Sequence, residues 1–220
     1  MKLHNTYYML RHGQAHSNVQ EIMSSFPETF DNPLTDKGVK MAKEAAKILQ
    51  TKNIDAIFAS DVLRAKQTAE IVAQTLGLTV TFDQRLREID FGSFNGKNIR
   101  ELEGIVDGSP IDTTELKRRI KPGGKMIGYA FAGGEDYPDI AKRMYNFLQD
   151  IEKKYEGKII VIVSHQSPLC LLEEKVKDIE VMQISKTIPG YVQIHTGEVR
   201  ELTAEYNKIT KSELQELKPV

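Results

Sequence analysis

Arg11-His12-Gly13 closes the apolar run Tyr7-Tyr8-Met9-Leu10, which sets an imidazole at the mouth of an expected strand beside a fixed cation. An imidazole there can attack phosphorus, and an arginine can hold phosphate oxygens through a planar, bidentate fork that lysine lacks. The tripeptide alone fits a solvated strand end equally well. Three further groups strengthen the chemical reading. Arg64 falls in the first turn of an expected helix, where the macrodipole disfavours a cation and a bound anion would relieve the conflict. His165 ends a β-branched run two residues before Ser167-Pro168, read as a helix cap followed by the first helical residue, and free amides at such a start suit an anion. Taken alone, a histidine there is more readily a core residue. Glu88, within Leu86-Arg87-Glu88-Ile89-Asp90-Phe91-Gly92, is the candidate general acid and base: departure of an alkoxide needs a proton, and the attacking water must lose one. Asp90 is its rival, and only one of the two is expected to face the site.

The elements that must position these groups alternate in type, which predicts an α/β fold with a parallel sheet and crossover helices. Thr6 to Leu10, Asp55 to Ala59, Leu78 to Phe82 and Lys158 to Val163 read as strands. Thr35 is expected to cap a helix running through Val39, Ala42, Ala46 and Leu49, and Asp61 to cap one carrying Val62, Ala65, Ala69 and Val72. Pro189 to His195 and Val199 to Thr203 read as a terminal hairpin, and Tyr206 to Leu217 as a polar amphipathic helix. The stretch from Gly104 to Gly134, rich in Gly, Pro and charge, reads as an insertion in a single domain, with a short helix near Asp112 to Arg119. Open parallel sheets bind ligands outside the carboxyl ends of their strands. His12, Arg64, Glu88 and His165 follow four successive strands, so all four are expected at one edge.

Composition narrows the function classes. Thirty basic and thirty-one acidic residues among 220 give a formal charge of -1, so no global field favours nucleic acid or an anionic membrane. No apolar run approaches the roughly 20 residues that span a bilayer, and the amino terminus lacks an apolar signal core. The single cysteine, Cys170, excludes an internal disulfide and stands among leucines as a structural thiol. The expectation is a cytoplasmic protein that binds a small phosphorylated partner, with no reading of oligomeric state.

The ordered words Leu10-Arg11-His12-Gly13 with Asn18, Leu34-Thr35-Asp36-Lys37-Gly38, Ser60-Asp61-Val62-Leu63-Arg64-Ala65 with Thr68-Ala69, Leu86-Arg87-Glu88 with Gly92 and Gly96, and Ser164-His165 resemble the histidine phosphatase superfamily, also called the phosphoglycerate mutase-like family. The resemblance runs from about Tyr7 to the end of the helix after His165. It implies a three-layer α/β/α fold with a mostly parallel sheet, a phosphohistidine on His12, and a phosphate pocket of Arg11, Arg64 and His165 helped by Asn18. Proton transfer by Glu88 is implied as well, and no metal or organic cofactor. The family pattern commonly follows its second histidine with glycine, whereas this chain has Gln166-Ser167-Pro168. Gln14, Ser24 and Gln166 are candidates for contact with the rest of the substrate. Mutase members typically carry arginine and histidine after the acid, where Ile89 and Asp90 stand here, which favours hydrolysis over isomerisation of phosphoglycerate. Arg118 and Arg119 could clamp a second anion and keep a primed mutase in view; a non-catalytic phospho-ligand sensor is the third reading.

Overall fold

The computed structural model describes residues 3–99, 133–180 and 192–204. Four strands run parallel: β1 (Thr6–Arg11), β2 (Ala56–Ala59), β3 (Val80–Phe82) and β4 (Ile159–Ser164). A fifth, β5 (Val199–Leu202), lies antiparallel to β1, and the order across the sheet is β3-β2-β4-β1-β5. Helices α2 (Asp36–Gln50) and α3 (Leu63–Leu76) cover one face, and α4 (Tyr137–Lys154) and α5 (Gln166–Val176) cover the other. A short helix, α1 (His16–Gln20), follows the loop after β1. The fold is therefore a three-layer α/β/α sandwich around a mixed, mostly parallel sheet.

Covering on both faces explains the unbroken apolar runs of the central strands. From Ile160 to Ser164 every residue of β4 is buried, with alternate side chains entering the two cores. On α4, Ile140, Met144, Phe147 and Ile151 recur at helical spacing and form one buried stripe. Thr35 caps α2 as expected, its hydroxyl accepting from the Gly38 N–H at 3.0 Å.

Three local expectations are corrected. Asp61 does not cap α3; its carboxylate is held by the Arg87 fork, with Arg87 Nε donating to Oδ1 at 2.7 Å. The first α3 amide, that of Leu63, instead donates to Glu28 Oε2 at 3.1 Å. Helix α5 starts earlier than Ser167-Pro168 implies, with His165 itself in the cap position and Pro168 inside the first turn, where its missing N–H has no intrahelical partner to lose. The terminal hairpin is not formed in its described part: residues 192–195 are not strand, and Val199–Leu202 pairs with β1, whose free edge offers the ladder partners. Residues 189–191 of that hairpin, the helices expected at 112–119 and 206–217, and all but the last two residues of the 104–134 stretch lie outside the described residues. Arg118 and Arg119 are among them.

Candidate active site

His12 leaves the end of β1 and is 2 % exposed. Its backbone N–H donates to the Ser164 carbonyl at 3.0 Å, so the first residues past β1 stay attached to the central strand. The ring makes two hydrogen bonds: Nδ1 with the Gly13 carbonyl at 2.8 Å, and Nε2 with the Arg64 Nε–H at 3.1 Å. A guanidinium can only donate, so Nε2 is the acceptor and Nδ1 carries the proton. The neutral imidazole is favoured further because burial, then Arg64 and Arg11, push the His12 pKa well below its ordinary value.

The loop after β1 owes its place to two small contacts. Gly13 and Gly38 approach so closely that a Cβ on either would run into backbone, Gly38 carbonyl in one case and Gln14 in the other. The Gly13 N–H donates to Thr68 Oγ1 at 3.0 Å, and that hydroxyl donates to the Arg64 carbonyl at 2.8 Å. Gly38 and Thr68, each part of a separate sequence word, thus fix the same turn.

Arg64 is 2 % exposed in the first turn of α3. Its other nitrogens donate to Ser24, NH1 to Oγ at 3.2 Å and NH2 to the carbonyl at 2.8 Å. Glu28 supplies the negative charge that the helix start calls for: one carboxylate oxygen accepts from the Leu63 N–H, and the other lies 3.7 Å from Arg64 NH1. Arg11 reaches the Ile194 carbonyl through NH1 at 3.0 Å, while its buried Nε has no protein partner. Burial lowers the pKa of both guanidinium groups, and Glu88 works in the opposite direction on each.

His165 is fully buried, 5.0 Å from the His12 ring centroid and edge-on to it. Nε2 shares a 2.9 Å hydrogen bond with Ser60 Oγ, and Nδ1 is buried without a partner. Burial, followed by Arg64, holds its pKa well below the ordinary value.

Glu88 lines the same cavity, of about 420 Å³, as Arg11, His12 and Arg64. Asp90 does not. An extended segment would aim residues two apart at one face, but Asp90 is folded back, its Oδ1 accepting from the Gly92 N–H at 2.8 Å. The Glu88 segment is held from both sides. Ser164 Oγ donates to the Leu86 carbonyl at 2.6 Å, and Arg143 NH2 to the Glu88 carbonyl at 3.2 Å. Arg143 is itself paired with Glu135, which also accepts the Asp90 N–H at 3.0 Å.

Asn18, expected to help hold phosphate, lines the cavity, as do Ser24 and Gln166 of the residues expected to touch the rest of the substrate. Asn18 Oδ1 accepts from the Ala15 N–H at 2.8 Å, Ser24 is occupied with Arg64 and Asn32, and the Gln166 amide bonds the Gln193 side chain. Gln14 is not among the residues that line the cavity, and its side-chain oxygen accepts from the Thr35 hydroxyl at 3.0 Å. Glu28, Glu135 and Arg143 were not singled out from the sequence, and Ser60 was given no role beyond its place in a motif word. Each reaches a partner at the site 35 or more residues away, a contact that no local pattern marks. Among the described residues no group of three or more His, Cys, Asp or Glu side chains is arranged to hold a metal ion, and no helix is long and apolar enough to cross a membrane.

A buried neutral histidine flanked by two arginines, a second buried histidine and a carboxylate, all at the carboxyl edge of a parallel sheet, is the arrangement of a phosphoryl-transfer site. The chain belongs to the histidine phosphatase superfamily (branch 1), whose model matches residues 7–214. Its class is accordingly that of histidine-phosphatase-type enzymes. "Probable phosphoglycerate mutase GpmB" of Salmonella choleraesuis is 32% identical over 166 residues, which cover 75% of this chain and 72% of that one. Among solved structures, YhfR of Bacillus stearothermophilus is 27% identical with a TM-score of 0.71, covering 90% of each chain. A mycobacterial glucosyl-3-phosphoglycerate phosphatase shares the fold at a TM-score of 0.70 and 23% identity, covering 90% of this chain and 92% of its own.

Proposed function

We propose that this chain hydrolyses phosphomonoesters of small metabolites through a phosphohistidine on His12, with Glu88 as proton donor and acceptor and no metal ion. The observation that carries the reading is the Arg64 Nε–H on His12 Nε2, which marks that nitrogen as the unprotonated one, its lone pair free to attack once Arg64 turns to the phosphate. In the first step Nε2 attacks phosphorus, the ester oxygen leaves, and Glu88 protonates it. Arg64 and Arg11 turn their donors to the equatorial oxygens, where charge is greatest. Nδ1–H on the Gly13 carbonyl stabilises the positive charge left on the ring. In the second step Glu88 takes a proton from water, whose oxygen attacks phosphorus, and His12 leaves as the neutral base. His165 would donate from Nδ1 to the same phosphoryl group, satisfying its one unpartnered polar atom.

The name of the 32% identical relative favours a second reading, a primed phosphoglycerate mutase. Against it, the position where mutases typically bear arginine is occupied by Ile89, fully buried in the core and unable to reach a substrate carboxylate. The test is release of inorganic phosphate from a panel of phosphomonoesters with a chelator present, wild type beside His12→Ala. Turnover that resists the chelator and disappears in the variant supports the hydrolase. Conversion of phosphoglycerate isomers after priming, with no net phosphate release, would replace it with the mutase.

A further inference from the structure

Ile22, Met23, Phe91 and Ile99 give the cavity an apolar wall beside the carboxylate-bearing Glu21, and Ser17, Asn18, Gln166 and Ser167 also line it. This wall is pinned by main-chain hydrogen bonds between two segments distant in sequence: Met23 N–H to the Lys97 carbonyl at 2.9 Å, Gly96 N–H to that of Met23 at 2.8 Å, and Ile99 N–H to that of Glu21 at 2.8 Å. Ile99 lines the cavity yet is 48% exposed, so a ligand seated there would cover apolar surface now facing water. Among the described residues, the only lysine or arginine side chains lining the cavity are Arg11 and Arg64, both at the His12 end. A second phosphate or a carboxylate seated against this wall would meet Glu21 and the isoleucines, with no lysine or arginine beside it among the described residues.

We infer that the preferred substrate is a monophosphate ester whose alcohol presents an apolar face to Ile22, Phe91 and Ile99 and carries no second anionic group. The inference rests on the hydrolase reading above and names its substrate class. An apolar wall gives affinity through area, and an unpaired charge against it gives rejection. The selection acts on the leaving group alone, since the phosphoryl cradle is common to every ester.

The test compares three alkyl esters whose alkoxides are of broadly similar basicity, so that chemistry does not mask recognition: 2-phenylethyl phosphate, glycerol 3-phosphate and 3-phosphoglycerate. Wild type is expected to favour the phenylethyl ester by about tenfold or more in kcat/KM, the scale of one or more apolar contacts. Ile99→Lys is expected to lower that value and to raise the one for 3-phosphoglycerate, a gain that misfolding cannot produce. The wild-type ranking is decisive even if the variant does not fold. His12-dependent release with 3-phosphoglycerate or glycerol 3-phosphate hydrolysed as fast as the phenylethyl ester overturns the substrate class and leaves the hydrolase standing. No His12-dependent release from any ester overturns the hydrolase reading, and this inference with it.

Discussion

Because Arg64 donates to His12 Nε2, one guanidinium both selects the imidazole tautomer and lowers its proton affinity. The acid limb of the kcat/KM profile is therefore expected well below pH 6.5, with His12 neutral throughout the physiological range. Replacing the cation should have the opposite sign: Arg64→Gln is expected to move the His12 titration upward, read by NMR of carbon-13-labelled histidine against the wild type. An unchanged midpoint would mean that burial alone sets it. Glu28 is the counterpart on the far side of Arg64. Glu28→Ala leaves the Leu63 N–H without its acceptor and should cost about 1–2 kcal/mol, as lost helix caps do. Glu28→Gln, which keeps an acceptor oxygen, should recover most of that in urea denaturation. Residues bearing reactive groups at strand ends, such as His12 and His165, were legible because type and position coincide. Glu28 was not, because its partners are reached only after the chain has folded back through 35 residues.

At the level of elements, helix starts and tight approaches set the geometry that the reactive residues inherit. Thr35 and Gly38 show the sequence at its most readable, a cap and a small residue at fixed spacing. Yet the reason for the glycine, contact with the turn that carries His12, emerges only from packing. Gly38→Ala would force the first turn of α2 away from Gln14 and is expected to cost about 1–3 kcal/mol, the usual range for overpacking a tight contact. It should also lower activity more than an alanine at exposed Lys40 of the same helix, measured as phosphate release at saturating ester. Asp61 illustrates the opposite case. A helix-capping residue in the expected place was diverted by a stronger local partner, since a bidentate arginine fork outcompetes a single backbone amide for a carboxylate. Strand β5 was likewise assigned to a hairpin neighbour, because a strand carries no local mark of which edge it will join.

For the molecule as a whole, alternation of strand and helix gave a parallel sheet with crossover helices and the edge at which the reactive groups gather, the three layers came with the family resemblance, and the attachments between distant segments followed from neither. Two of those buried groups also tie stability to pH. His12 and His165 stay neutral in the folded state, whereas the unfolded chain protonates both below about pH 6.5. Stability is then expected to be level above that pH and to fall below it, with a slope of up to about 1.4 kcal/mol per pH unit for each histidine. Urea midpoints from pH 8 to pH 5 check this, and His165→Asn should reduce the slope by about half. Carboxylates held down by partners, such as Asp61 beside Arg87, enter only at lower pH. The sheet order carries one more consequence. Strand β1, which bears the nucleophile, is bracketed by β4 and β5, pairing Tyr7 with Ile160 on one side and Leu202 on the other. During synthesis β1 thus waits for β4 and β5, its apolar run unpaired until residue 159 and beyond have been made, and a nascent chain that stops short of residue 159 can display the motif of the enzyme without ever assembling the edge that makes it one.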